Sequence, residues 1–375
     1  MWKCVRCNKE NQDSEEKCVN CGHGKTMDYT GHRLISRLRT EITENWKKQK
    51  EKPMLMADCI ANAEQNGTVL GSVFLRREVC EIDFVKMNLT SIPSGAWDVS
   101  EDQDKTIWAW KKETPEGHIL YIGSEKGVYA NENCEDLFCC YVNIKKINFH
   151  NLFDTSHATN MGGMFYHCES LIALDLNNFD TRNVTDMCRM FNGCKSLKSL
   201  DVSRFDTRNV TAMTCMFDDC ESLEELDVGK FKTDKVKDMS WMFHGCKSLK
   251  SLDVSRFDTR NVTAMSWMFD DCESLEELDV GKFKTDKVKN MHGMFSGCKN
   301  LKNLNVSRFD TRNVTDMSWM FYGCESLEEL DVNHFKTGCV TNMEFMFCNC
   351  DNLTQLDILN FYYAPDVNTK DMFED

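Results

Sequence analysis

Apolar residues recur along most of the chain with a period of 26 residues, and no insertion or deletion interrupts it. Eight cysteines mark this period, from Cys168 to Cys350, and columns of leucine, phenylalanine and methionine keep the same register. Seventeen of the 22 methionines fall in two of these columns, so the methionine excess belongs to the repeat. A fixed period of roughly 20 to 50 residues indicates a stack of similar structural units.

Each unit contains two apolar patterns. In the unit 247–272 the first pattern consists of Leu249, Leu252, Val254 and Phe257. Its near-alternating spacing predicts a short strand and its exit. The second pattern consists of Met265, Met268, Phe269 and Cys272. Its i, i+3, i+4, i+7 spacing predicts one buried face of a short helix. Because a unit this small cannot bury its own apolar face, the units are expected to stack as an α/β repeat solenoid, a parallel strand ladder with short helical returns.

The repeat has the pattern L-x-x-L-D-V-S-x-F-D-T-x-N-V-T-x-M-x-x-M-F-x-x-C over about residues 147–375. It resembles the BspA-like leucine-rich repeat family of bacterial surface proteins. The upstream segments 96–100 and 106–110 resemble the usual entry segment of that family. The resemblance implies a leucine-rich-repeat-like solenoid over 151–375, with 53–150 as its β-rich N-terminal cap. It also implies contacts with other proteins or adhesion at a cell surface.

Side chains of one column lie about one strand spacing apart in such a stack, so their charges interact. One column alternates in sign through Lys195, Glu221, Lys247, Glu273, Lys299 and Glu325. Three further columns alternate in the same way. Inter-rung ion pairing explains this better than a charged ligand track does, because alternation cancels the field that a ligand would follow.

Two other columns do not alternate. An acidic column consists of Asp175, Asp201, Asp227, Asp253, Asp279, Asp331 and Asp357, interrupted by Asn305. It would suit a cation site, but aspartate after a strand commonly caps its own turn, and capping is favoured. The cysteine column would suit disulfides, but buried free thiols are favoured because adjacent strands hold the Cβ atoms farther apart than a disulfide prefers.

Composition restricts the class of protein. The 375 residues are 41% hydrophobic, which exceeds one ordinary compact core and argues against wholesale disorder. A net charge of −15 makes bulk nucleic-acid binding unlikely. No apolar stretch long enough for a membrane span and no secretory signal are visible. Together with 21 cysteines, an odd number, these features favour the reducing cytoplasm, with the cell surface by a non-classical route as the alternative.

The N-terminus carries a separate cysteine pattern. Two CxxC pairs separated by ten residues place Cys4, Cys7, Cys18 and Cys21 as four thiolate ligands. This spacing predicts one structural Zn²⁺ in a small ribbon over 1–26, because four thiolates leave no open coordination position. The element resembles short zinc ribbons and Ran-binding-protein-type zinc fingers, whose pattern is met by Trp2, Cys4, Cys7, Asn11, Cys18 and Cys21. That resemblance implies a second contact module, since some such fingers bind single-stranded RNA and others bind ubiquitin.

Residues 27–52 connect the ribbon to the cap. They include a narrow apolar stripe surrounded by basic residues, which predicts a basic amphipathic helix or linker. Such a helix suits an anionic lipid surface, but packing on the cap or acting as a spacer is favoured over lipid binding.

A comparison of the protein with itself indicates a partner surface. Residues 195–246 and 247–298 differ at six of 52 positions, all around the predicted helix and off its buried face. One of these columns reads Arg189, Cys215, Trp241, Trp267, Gly293, Trp319 and Phe345. Outward-facing tryptophans are typical interface anchors. The predicted partner-binding residues are therefore Trp241, Trp267, Trp319, Phe345, Arg189 and His292. The alternative is that the rings cover grooves between neighbouring turns.

These patterns favour a non-enzymatic scaffold that binds a protein partner. The chain has no phosphate-binding loop, nucleophile elbow or paired-histidine metal motif, which most enzymes of these classes need. Two alternatives remain open: a surface adhesin of the BspA-like type, and a nucleic-acid regulator that acts through the zinc element.

Overall fold

The computed structural model describes residues 2–3, 10–11, 54–55, 70, 72 and 75–373, and the chain divides into two compact units, Met1–Glu51 and Lys52–Asp375. In the first unit, Trp2–Lys3 (β1) pairs antiparallel with Glu10–Asn11 (β2). The four predicted zinc ligands and the predicted helix at 27–52 lie outside the described residues. Both therefore stay predictions.

The second unit contains a five-stranded mixed sheet in the order β4-β5-β6-β3-β8. Its strands are Val79–Lys86 (β3), Trp97–Asp98 (β4), Trp108–Thr114 (β5), Gly117–Ser124 (β6) and Lys146–Asn148 (β8), and a 3₁₀ turn, Arg76–Glu78, precedes them. Strand β5 is antiparallel to β4 and β6, whereas β3 is parallel to β6 and β8. A separate parallel pair joins Val128–Tyr129 (β7) to Phe153–Asp154 (β9) and leads into the repeats.

The repeats form parallel ladders with a register of 26 residues, and we call each repeat a rung. Their strands are Ser199–Leu200 (β10), Glu225–Leu226 (β11), Ser251–Leu252 (β12), Glu277–Leu278 (β13), Asn303–Leu304 (β14), Glu329–Leu330 (β15) and Gln355–Leu356 (β16). Strand β10 pairs with β11, and β12 to β16 pair in sequence. Every strand residue bonds to its equivalent one rung away, as Leu252 does to Leu278. The predicted stack of parallel strands is confirmed.

The core runs through all rungs as columns of identical side chains. Leucine, valine and methionine columns are almost completely buried. One phenylalanine column, from Phe165 to Phe347, stacks ring on ring, and Phe217 and Phe243 for example have centroids 5.7 Å apart and planes 3° apart. Because each ring contacts the rung before and the rung after it, no rung could bury its apolar face alone.

The predicted short helical returns are wrong, since the described residues contain no α-helix and the segment 265–272 is a series of turns. The amide of Met268 donates to the carbonyl three residues earlier at 3.4 Å, whereas the amide of Phe269 donates to Met294 on the next rung at 3.0 Å. Trp267 has a φ of 56°, which a right-handed helix cannot include. The apolar spacing reports which side chains are buried, but it does not reveal that alternate amides bond to the next rung.

Buried threonines connect the rungs at the exit of each strand. The column consists of Thr155, Thr181, Thr207, Thr233, Thr259, Thr285, Thr311 and Thr337. The Thr233 hydroxyl accepts a bond from the Asp258 amide at 2.8 Å and donates to the Asp258 carbonyl at 3.1 Å. Each hydroxyl therefore satisfies both main-chain groups of one residue on the next rung.

The cysteine column consists of free thiols, as predicted. The thiol of Cys220 donates to the carbonyl of Phe191 at 3.3 Å, and equivalent bonds recur along the column. Burial raises the pKa of Cys194 to about 12. These cysteines therefore pack as small apolar groups with one weak hydrogen bond each.

A candidate partner-binding ridge

The column that the sequence singles out lies on a left-handed backbone. Its residues are Arg189, Cys215, Trp241, Trp267, Gly293, Trp319 and Phe345, with φ values of 56°, 58°, 62°, 56°, 61°, 60° and 54°. We call it the left-handed column. Each of its amides donates to the next rung, for example Trp241 to the carbonyl of Ser266 at 2.9 Å. Inter-rung bonding thus imposes a conformation that glycine adopts freely and other residues adopt at a cost.

The aromatic members of this column pack on one another along the stack. The rings of Trp241 and Trp267 have centroids 5.5 Å apart, and those of Trp319 and Phe345 are 4.5 Å apart. All four side chains are half-buried. Trp267 lies over Gly293, where a Cβ atom would come within 2.1 Å of its Cε3. We call this row of half-buried rings the aromatic ridge.

The predicted outward orientation is therefore correct in part, because the rings also cover the space between rungs. His292 belongs to the ridge: its ring meets Trp267 edge-on at 4.3 Å, and its Nδ1 lies 2.5 Å from the hydroxyl of Ser318. Arg189 is exposed and lies two rungs before Trp241 in the left-handed column, with Cys215 between them. The structure brings five of the six predicted residues to one ridge and leaves Arg189 at a distance. Whether they contact a partner stays a prediction.

Two contributors to the ridge were not among the predicted residues. Tyr322 has its ring 4.6 Å from that of Trp319, and His244 has its ring 4.8 Å from that of Trp241. Both belong to a second variable column, which reads Tyr166, Asn192, Asp218, His244, Asp270, Ser296, Tyr322 and Cys348. The variability of that column, beside columns that are nearly uniform, is the signal that would have found them.

His244 fixes a positive charge at one end of the ridge. Its Nδ1 lies 2.6 Å from Asp218 and its Nε2 lies 3.3 Å from Asp270, so it bridges three rungs. Burial of the imidazole lowers its pKa, but the hydrogen bonds to Asp218 and Asp270 outweigh burial and raise the pKa to about 10. Asp218, Asp219 and His244 lie close enough to share a cation, but both imidazole nitrogens are already engaged with carboxylates. The cluster is better described as an ion-paired clamp between rungs.

The charged columns separate into two kinds. Glu221 lies between Lys195 at 3.8 Å and Lys247 at 3.7 Å, so the predicted inter-rung pairing is confirmed there. Asp206 instead pairs at 2.8 Å with Arg208 of its own rung, and the same short-range pair recurs at later rungs. Alternation in these columns therefore does not always mean contact between rungs. Exposed pairs of this kind contribute only ~0 to 1 kcal/mol each.

The acidic column caps turns, as favoured. The Asp201 carboxylate accepts a bond from the amide of Ser203 at 2.9 Å, and Asp253 does the same for Ser255. Asn305, which interrupts the column, accepts the equivalent bond from the amide of Ser307 at 3.1 Å. Since an amide oxygen replaces a carboxylate without loss of the bond, the column needs an acceptor rather than a charge.

A groove of about 970 Å³ lies elsewhere, where the mixed sheet meets the first rungs. Its lining includes Lys145, His150, Ile172 and Asp175, and the side chain of Ile172 is half exposed. The groove mixes charges of both signs with apolar groups and contains no aromatic row. It is the second candidate surface after the aromatic ridge. Among the residues that the structure describes, no helix is long and apolar enough to cross a bilayer.

Comparison with known proteins places the repeats. Four overlapping stretches, residues 132–227, 199–278, 217–307 and 276–375, match the family described as "Mycoplasma protein of unknown function, DUF285". No curated protein matches the chain. The four stretches together cover the rungs and well over half of the sequence. The chain therefore belongs to the DUF285 family.

Proposed function

We propose that this protein is a non-enzymatic scaffold whose rungs present the aromatic ridge to a protein partner. The observation that carries the proposal is the position of the tryptophans. A residue other than glycine in the left-handed region costs ~1 to 3 kcal/mol. Gly163 and Gly293 occupy the same column at a φ of 58° and 61°, so the stack accepts glycine there. The backbone does not require aromatic residues at this column.

Stacking between neighbouring rings offsets only part of that cost. An aromatic pair contributes ~0.5 to 1.5 kcal/mol beyond the area that it buries. Trp241 and Trp267 form one pair, and Trp319 and Phe345 form another. All four rings keep part of their surface in water. Half-exposed aromatic rings beside charged groups are typical of residues that anchor a protein interface.

The resemblance to BspA-like repeats supports contact with another protein and also supports the alternative, a surface adhesin. The absence of a visible export signal favours a cytoplasmic partner. The N-terminal cysteine pattern supports a second contact module built around zinc. Fractionation of cells followed by surface proteolysis distinguishes the cytoplasmic scaffold from the adhesin, and steeply salt-dependent binding would indicate a nucleic acid instead.

The test replaces Trp241, Trp267 and Trp319 by glycine. Glycine suits the left-handed backbone, so these changes remove the rings without adding strain. The matched control is Tyr362→Ser, which removes an exposed aromatic ring that lies outside the ridge. A partner is first captured from native cytosol with the wild-type chain, then purified and titrated against all three proteins.

We expect the ridge variant to bind the purified partner about tenfold or more weakly, whereas the control binds as the wild type does. The melting temperature of the ridge variant should fall by less than about 5 °C. Equal affinity of the ridge variant and the wild type would refute the ridge and turn attention to the groove beside Ile172. A large fall in melting temperature would assign the tryptophans to packing. A chain lacking residues 1–26 then shows whether the N-terminal element contributes to affinity.

A further inference from the structure

Two adjacent cysteines, Cys139 and Cys140, lie beside a buried arginine, outside the cysteine column and away from the aromatic ridge. Arg76 is 1% exposed, and its Nη1 donates to the Cys139 sulfur at 3.3 Å. The same nitrogen donates to the carbonyls of Cys139 at 2.7 Å and Asp136 at 3.0 Å. The Arg76 guanidinium also lies 5.0 Å from the centre of the Tyr141 ring. The guanidinium therefore fixes the turn that carries both thiols.

Cys140 occupies a backbone position that the later rungs fill with other residues. Its φ is 58°, and its amide donates to Tyr166 on the next rung at 2.6 Å. The equivalent left-handed residues on the following rungs are His167, Gly193, Asp219, Gly245, Asp271, Gly297, Gly323 and Asn349. Glycine, asparagine, aspartate and histidine are the residues that tolerate this region best. Cysteine is the exception in the column, and residues held in an unfavourable conformation are concentrated at functional sites.

The electrostatics of the pair favour one reactive thiol. The hydrogen bond from Cys139 lowers the pKa of Cys140, and Arg76 lowers it further, against burial and the carboxylates of Asp136 and Glu169. The same hydrogen bond, together with burial, raises the pKa of Cys139. Cys140 therefore carries the thiolate, and Cys139 keeps its proton and donates it to the neighbouring sulfur. Cys140 is 7% exposed, whereas Cys139 is fully buried.

We propose that Cys139 and Cys140 form a redox site, in which a hydroperoxide oxidises Cys140 and Cys139 then closes a disulfide between adjacent residues. In the first step the Cys140 thiolate attacks hydrogen peroxide: an S–O bond forms, the O–O bond breaks, and hydroxide leaves and takes a proton from water. In the second step the Cys139 sulfur attacks the sulfenic acid: an S–S bond forms, the S–O bond breaks, and water leaves with the Cys139 proton. The two sulfurs lose two electrons, and the peroxide gains them.

The product should be easily reduced. Consecutive Cα atoms are about 3.8 Å apart, which is less than the separation that an unstrained disulfide prefers. Strain raises the reduction potential, so a small dithiol can return the pair to the two thiols. Reversibility is what a redox switch requires. The ladder cysteines cannot serve in this way, because Cys194 and its equivalents are fully buried and no arginine donates to their sulfurs in the described residues.

The test treats the folded full-length chain with graded hydrogen peroxide and analyses tryptic peptides by mass spectrometry. Residues 127–145 form one tryptic peptide with three cysteines, so every chain also carries Cys134→Ser. We expect this peptide to lose two hydrogen atoms and to regain them with dithiothreitol. In Cys139→Ser, a dione probe should trap a sulfenic acid on Cys140. In Cys140→Ser, trapping on Cys139 should be about tenfold weaker or less, since a buried, protonated thiol reacts slowly.

Cys339 is the internal control, because it is exposed and far from Arg76 in sequence. We expect Cys140 to be oxidised about tenfold faster than Cys339, although Cys339 is more accessible to solvent. Circular dichroism of the serine variants confirms that each has the wild-type fold before oxidation. Oxidation of Cys339 ahead of Cys140 would overturn the proposal. So would trapping on Cys139 equal to that on Cys140, or disulfides between chains in place of the intramolecular product.

Discussion

Replacing Thr233 by valine should destabilise the stack more than its change of one atom suggests. Valine keeps the shape of threonine and removes only the hydroxyl. That hydroxyl accepts from the Asp258 amide at 2.8 Å and donates to the Asp258 carbonyl at 3.1 Å, and Thr233 is 1% exposed. The variant therefore leaves two main-chain groups without a partner at a single position.

The magnitude follows from these two groups. A buried polar group that loses its partner costs ~1 to 3 kcal/mol. Asp258 is half-buried, so water reaches part of its backbone and the lower end of that range applies. The two groups together should cost about 2 kcal/mol, whereas a surface substitution costs about 0.5 kcal/mol or less.

Urea unfolding followed by circular dichroism measures this difference. Thr263→Val is the matched control, because the Thr263 hydroxyl is exposed and makes a single bond, to the Lys237 carbonyl at 3.1 Å. We expect the unfolding midpoint of Thr233→Val to fall clearly below those of the wild type and the control. Equal midpoints for the two variants would refute the argument that the threonine column bonds the rungs together.

Three further predictions concern charge and metal. Replacing Glu221 by lysine places three positive charges in a row with Lys195 and Lys247, and should lower stability more at 20 mM than at 500 mM salt, by ~1 kcal/mol. The pKa of His244 is raised to about 10 in the folded chain, so its stabilising charge is present below pH 6.5 and is lost as the pH rises toward 10. The wild type should therefore lose roughly 2 kcal/mol more than His244→Ser does over that interval. Metal analysis should find one zinc per chain, and chelation should unfold the N-terminal element while the rungs stay folded.

Each of these predictions has a result that contradicts it. A loss of stability in the Glu221 variant that is independent of salt would point to packing instead of charge. Parallel pH profiles for the wild type and His244→Ser would show that the imidazole is not the titrating group; serine is a natural control because Ser296 occupies its position in the duplicated segment. Loss of most strand signal on chelation would mean that zinc also supports the rungs.

The sequence alone predicted the repeat, its register and its parallel strands. These depend on side chains that recur every 26 residues, because identical units can bury identical columns only by stacking in register. The free thiols of the cysteine column and the capping role of Asp201 followed from the same reasoning, since both are properties of a side chain beside its own turn or its own equivalent. Of the candidate site, the variable column with Trp241 and Trp267 was also visible, because duplicated segments reveal the positions where they differ.

Only the tertiary structure decided the conformation between the strands and the chemistry that depends on contacts between rungs. The helical spacing at Met265 and Met268 fits a turn series equally well, and the choice depends on whether amides bond within a rung or to the next one. The left-handed backbone at Trp267, the cover that it provides for Gly293, and the approach of Arg76 to Cys139 all join residues that are distant in sequence. A linear pattern reports which residues are buried, but hydrogen bonds across the stack determine the backbone that carries them.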